Sequence, residues 1–143
     1  MDLWFRWRSR NRTKSNTPLL LLPPTFYARC VSIYDGDTYQ IVCLFRGKWT
    51  RFNCRAYGWD APEMKPIHAG RTTESLEQEK KAALAAKDWL ESWWNRHQNI
   101  ALIHFYGFDK YGRVLAEIPG LFDEFMKTGY IKPYFGKTKL PIV

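Results

Sequence analysis

Three short stretches carry charged side chains in positions that folding alone does not call for. The first is Asp35-Gly36-Asp37-Thr38, where two carboxylates flank a glycine at the foot of an alternating apolar run. The second is Asp60-Ala61-Pro62-Glu63, which follows Arg55, an arginine set among residues expected to face a core. Pro62 fixes its own φ and biases Ala61 to an extended backbone, so two carboxylates and a free carbonyl sit in one stiff loop. A hard divalent cation takes oxygen ligands of that kind. The third is Asp109-Lys110-Tyr111-Gly112-Arg113, which places a second arginine just past a turn. Guanidiniums suit an anionic substrate with paired oxygens.

These side chains need elements to hold them. Phe26 to Tyr34 (FYARCVSIY) and Thr38 to Phe45 (TYQIVCLF) alternate and are rich in β formers. Asp35-Gly36 between them predicts a two-residue type I′ hairpin, with positive φ at both positions. Gly47 with Lys48 predicts a second turn, and Thr50 to Tyr57 a third strand. Ser75 with Gln78 reads as a capping box opening a helix over 76–95, in which Leu76, Ala83, Ala86, Leu90 and Trp93 recur at helical spacing. Ile100 to Ile118 predicts two more strands around a turn at Asp109 to Gly112, and Leu121 to Lys127 a short helix closed by Gly129. The expected class is α+β, mainly β. Five strands with a helix between the third and fourth, and a C-terminal helix, is the connectivity of the OB-fold, a Greek-key barrel.

At 143 residues, with 45% apolar and 17% aromatic side chains, the chain is expected to hold one globular domain over 25–143. Residues 1–24 are expected to be a basic, disordered extension. The net charge of +8 favours a polyanionic partner. Half of that excess lies in the first fourteen residues, where Arg6, Arg8, Arg10, Arg12 and Lys14 face only Asp2. The tail is therefore expected to add non-specific affinity rather than chemistry. Its Trp4, Phe5 and Trp7 also fit a membrane surface, a lesser alternative. The run PLLLLPP is too short for a signal-peptide core or for a transmembrane helix, which takes about 20 apolar residues. Cys30, Cys43 and Cys54 form no CxxC pair and are odd in number; they read as buried strand residues in a reducing, intracellular setting. His68, His97 and His104 have no metal or catalytic spacing.

Taken together and in this order, DGDT, Arg55 ahead of DAPE, and DKYGR closely resemble the motifs of the staphylococcal nuclease (thermonuclease) family, over roughly residues 26–135. The resemblance implies an OB barrel and a calcium ion held by Asp37, Asp60 and the backbone carbonyl of Ala61. The family often has threonine at the position of Ala61, so a supporting hydroxyl is missing and weaker metal affinity is expected. It implies that Glu63 orients or deprotonates the attacking water and that Arg55 and Arg113 contact the scissile phosphate. Tyr111 matches a tyrosine near the nucleotide, and Lys110 and Tyr134 are further candidate substrate contacts. The implied activity is calcium-dependent endonucleolytic hydrolysis of DNA and RNA, single-stranded or frayed, with little sequence preference and 3′-phosphate products. A monomer with no small-molecule cofactor is expected. The alternative is a non-catalytic nucleic-acid-binding module of the same fold.

The implied roles are physically coherent. Attack on a phosphodiester adds charge to an anion, and a divalent ion with two guanidiniums offsets that charge. A carboxylate near the attacking water supplies the base.

Overall fold

The computed structural model describes residues 2–17, 19 and 22–135. Within the stretch expected to be an unstructured extension lies a short helix, α1 (Leu3–Ser9), whose first turn is capped by Asp2 accepting from Trp4 N–H at 2.9 Å. It buries no residue, and Trp4, Phe5 and Trp7 are all exposed. The rest runs β1 (Thr25–Ile33), β2 (Thr38–Phe45), β3 (Lys48–Ala56), β4 (Gly58–Asp60), α2 (Thr73–Arg96), β5 (Ile100–Phe108), β6 (Val114–Glu117), α3 (Leu121–Met126) and β7 (Lys132–Tyr134).

Five of these strands close into a barrel in the order β1-β2-β3-β6-β5, so the expectation of a mainly β chain built on a five-stranded barrel is met. All neighbours are antiparallel except β3 and β6, which pair in parallel with Arg55 opposite Leu115. β4 and β7 form a separate two-stranded ribbon that the sequence did not announce, with Asp60 opposite Lys132. Three-residue strands are too short to show a period. The three cysteines fall on β1, β2 and β3 and are buried and free. Among the described residues no helix is long and apolar enough to cross a membrane.

Two local expectations are corrected. The type I′ geometry does not sit at Asp35-Gly36, neither of which has positive φ; it sits at Arg46-Gly47 (φ 52° and 75°), between the paired ends Phe45 and Lys48. The Asp35 loop instead closes through side chain and backbone. Asp35 Oδ1 accepts from Asp37 N–H at 3.0 Å, and Tyr34 N–H donates to Thr38 O at 2.9 Å. The helix cap is likewise Thr72, whose hydroxyl accepts from Ser75 N–H at 3.1 Å, while Ser75 Oγ is taken by Arg71.

The α2 face of Ala83, Ala86, Leu90, Trp93 and Trp94 is buried, and Trp94 meets Tyr39 of β2 edge-on at 5.8 Å. α3 buries Leu121 and Phe125. Phe125 stacks on Trp89 at 4.3 Å and meets Trp59 edge-on at 5.8 Å. Trp59, in β4, is wholly buried and its indole N–H donates to Gly36 O at 2.9 Å. Glycine is required at 36 for space rather than for φ. A Cβ there would lie 2.7 Å from Ala61 Cβ and 3.0 Å from Ala86 Cβ. Neither methyl can swing aside, since each is fixed to its backbone. Gly36→Ala is therefore expected to cost ~1–3 kcal/mol of stability through overpacking. Urea denaturation checks this; an unchanged midpoint would rule out the close approach.

Candidate active site

Asp37 is held before it is charged. Its backbone carbonyl accepts from Ala56 N–H at 2.8 Å, tying the loop to the end of β3. Its carboxylate accepts from Ala61 N–H at 2.7 Å through Oδ2 and from the Thr38 hydroxyl at 3.0 Å through Oδ1. With 5% of its surface exposed, its environment opposes ionisation. Burial pushes its carboxyl up to about 6, opposed by the Arg55 charge and the Ala61 amide and reinforced by Asp35. Asp35, which the sequence motif includes without assigning it a role, is buried as well and belongs to the acidic group.

Arg55 sits opposite Thr38 on the β2–β3 ladder, which aims it at the same loop. Nη1 donates to Trp59 O at 2.8 Å and Ala56 O at 3.2 Å, and lies 3.5 Å from Asp37 Oδ2. Nη2 pairs with Asp60 Oδ1. One guanidinium thus orders the ends of β3 and β4 and serves two carboxylates. Glu63 follows on the loop after β4. Its N–H donates to Glu79 Oε1 at 3.4 Å, and Glu79 is ion-paired with Arg71, so α2 steadies the loop. Burial raises the Glu63 carboxyl, the Asp37 charge adds to this, and Arg55 opposes it. Glu79 was missed from sequence because nothing in a helical charge run marks which acid turns back to a loop.

Arg113 enters from the turn between β5 and β6. Asp109 Oδ1 accepts from the N–H groups of Tyr111 and Arg113, both at 2.9 Å, and Oδ2 takes Arg113 Nε at 2.6 Å. Burial alone would raise the Asp109 carboxyl, but these bonds outweigh it and hold it below the usual carboxylate range. Pinning Nε leaves both terminal nitrogens of Arg113 without a hydrogen-bond or ion-pair partner among the described residues. The exposed Tyr111 ring lies under Lys110 Nζ at 5.1 Å and Arg113 Cζ at 5.4 Å. Tyr134, placed by the β4–β7 ribbon, has Arg55 Cζ 6.0 Å from its ring centre.

Asp37, Arg55, Asp60, Glu63, Lys110, Tyr111, Arg113 and Tyr134 all line one cleft of about 770 Å³. Ala61 does not line it; it stands behind Asp37 and touches it through its amide. Asp35, Asp109 and Phe135 are also part of the wall. No group of three or more His, Cys, Asp or Glu positioned to hold a metal by themselves occurs among the described residues. A cation here would take two carboxylates at most from side chains and fill its shell with carbonyl and water oxygens. The donor set suits such an ion in kind: the side chains Asp37, Asp60 and Glu63 beside Arg55 offer oxygen ligands only.

A scan against protein-family models finds no match to the chain, and a search of curated proteins finds none either.

The raised Asp37 carboxyl has a signed consequence. Its folded value of about 6 lies above the ordinary value of about 3.9, so the protonated form favours the fold. That contribution is complete below pH 4 and is lost as the pH rises through 6. Asp37→Asn, neutral at every pH, is expected to be ~1–3 kcal/mol more stable than the parent at pH 8 in chelator, with the gap closing towards pH 4. Paired denaturation curves at both pH values test this; a constant gap would mean that Asp37 does not titrate in that window.

Proposed function

We propose that this chain is a calcium-dependent phosphodiesterase of the staphylococcal nuclease kind, cutting DNA and RNA with little sequence preference and leaving 3′-phosphates. The observation that carries the reading is the convergence of Asp37, Arg55, Asp60, Glu63 and Arg113, from three separated stretches, on one cleft. The barrel order, with α2 between the third and fourth barrel strands in chain order, supports an OB-type Greek-key assignment.

On this reading Asp37 and Asp60 would hold the calcium ion from the cleft wall, with the Ala61 carbonyl the expected third ligand although Ala61 itself does not line the cleft, and the ion would supply positive charge to the phosphate. Arg113, fixed at Nε by Asp109, presents two free N–H groups to one phosphate oxygen pair. Arg55 exchanges its contact with Asp60 for a second phosphate oxygen. Glu63 accepts the proton of a water whose oxygen bonds to phosphorus. The bond from phosphorus to the 5′-oxygen then breaks, and that oxygen takes a proton from water. The raised Glu63 carboxyl makes it a better base than an ordinary glutamate.

The ion pairs of Arg55 favour one second reading, a module that binds nucleic acid without cutting it, since a guanidinium committed to Asp60 is withheld from substrate. Digestion of plasmid and single-stranded substrate with calcium, magnesium or chelator separates the two. Cleavage is expected with calcium, less with magnesium, and none in chelator. Arg55→Ala and Arg113→Ala should each lose ~10²–10³-fold in turnover while staying folded. Lysine should rescue poorly, because it lacks the two-pronged donor. Full activity in chelator, or normal turnover in either alanine variant, would sink the mechanism.

A further inference from the structure

Three aromatic side chains continue outward from the cleft and take no part in the chemistry above. Phe135 lines the cleft and lies over Gly58, where an added Cβ would be 3.6 Å from its ring. Tyr57 meets Phe135 edge-on at 5.5 Å, with the rings at 77°. Tyr106, on β5, stacks on Tyr57 at 4.1 Å and 12°. Tyr57 is fixed by its N–H donating to Ala116 O at 2.8 Å, so this pair bridges the outer surface above β6. The row does not belong to the core: Tyr106 is 51% exposed and Phe135 37%. An exposed, parallel pair of rings keeps one outer ring face in water, where a further flat ring can stack on it, while the Tyr106 hydroxyl is held beside Glu117.

We infer that Phe135, Tyr57 and Tyr106 form a stacking ledge for the bases of a single nucleic-acid strand whose backbone runs through the cleft. The inference rests on reading the cleft as a phosphodiester site, and it adds to that reading the residues that would seat the bases of the strand. The cleft that the ledge adjoins offers phosphates the cations Lys110, Arg55 and Arg113, set among the five acids Asp35, Asp37, Asp60, Glu63 and Asp109, so the ring faces rather than net charge argue for this occupant. Ring faces argue for an unpaired strand. Bases in a duplex have both faces stacked and cannot lie on Tyr106, whereas a single strand offers a face at every nucleotide without regard to sequence. The outer face of Tyr106 would continue the Tyr57 stack by one base.

The test uses the full chain carrying Glu63→Gln, which prevents cutting, and compares it with Glu63→Gln/Tyr106→Ala and Glu63→Gln/Tyr106→Trp. Binding of a labelled twelve-nucleotide single strand and of the duplex of the same sequence is measured by fluorescence anisotropy at one fixed salt concentration. Thermal melting confirms that each variant is folded. Tyr106→Ala should weaken single-strand binding roughly tenfold, leave duplex binding within about twofold, and so collapse the preference for the single strand. Tyr106→Trp should preserve or strengthen it. Equal losses on both substrates, or no loss on either, would overturn the ledge. A parent protein that binds neither substrate would overturn the phosphodiester reading together with it. One that binds single strands through Tyr106 but never cuts them would leave the ledge standing and remove only the catalysis.

Discussion

The structure of the cleft depends on one close approach: the Asp35–Thr38 loop pressed against the segment Trp59–Ala61. Trp59 is buried among Phe122 and Phe125, and its indole reaches Gly36 O. That bond sets the loop height, and the absent Cβ of Gly36 lets Ala61 and Ala86 close over it. Asp37 then meets the Ala61 amide, and Arg55 reaches Asp37, Trp59 O and Asp60 together. Packing by α3 is in this way converted into the position of a carboxylate. Truncating a buried tryptophan typically costs ~3–5 kcal/mol, but here the loss would also release the loop that holds Asp37.

The same crowding gives the site its electrostatic character. Four acids share the cleft wall around Arg55, while Arg113 is partnered by Asp109. The carboxylates are stable as a group only if protons, arginine or an incoming cation offset them, and burial makes that need acute at Asp37. The raised Asp37 carboxyl thus marks where the fold holds a buried acid that favours its neutral form.

Much of this was legible in the sequence because it rests on short-range rules. Alternation in the first two strands and turn signals around the other three gave the five barrel strands to within a few residues, helical spacing gave the buried face of α2, and Gly129 (φ 75°) follows α3 as expected. The charged stretches stood out since they broke those same patterns. What stayed hidden depends on tertiary contact. Asp35-Gly36 resembles a type I′ turn, but the space left by Ala61 and Ala86, not the local dihedral preference, decides why glycine is there. Thr72 rather than Ser75 is the cap because the helix begins at Thr73, which puts Ser75 inside its first turn. β4 and β7 are too short for periodicity, and Tyr57 and Tyr106 look like ordinary strand residues until the barrel lays them side by side.

The parallel pairing of β6 with β3 has a consequence for the life of the chain before it is complete. A parallel neighbour cannot be reached through a tight turn, so α2 and β5 must be laid down before Val114 to Ala116 can dock beside Cys54 to Ala56. Such long-range contacts form late, after the cost of closing the intervening loop has been met. On a ribosome, Asp37, Arg55 and Glu63 emerge well ahead of Arg113, and Tyr134 arrives later still to join the β4–β7 ribbon. An emerging fragment holds the acids of the cleft without its second guanidinium or its far wall. For a protein proposed to break RNA, this order would keep the cleft incomplete until Arg113 and Tyr134 have emerged.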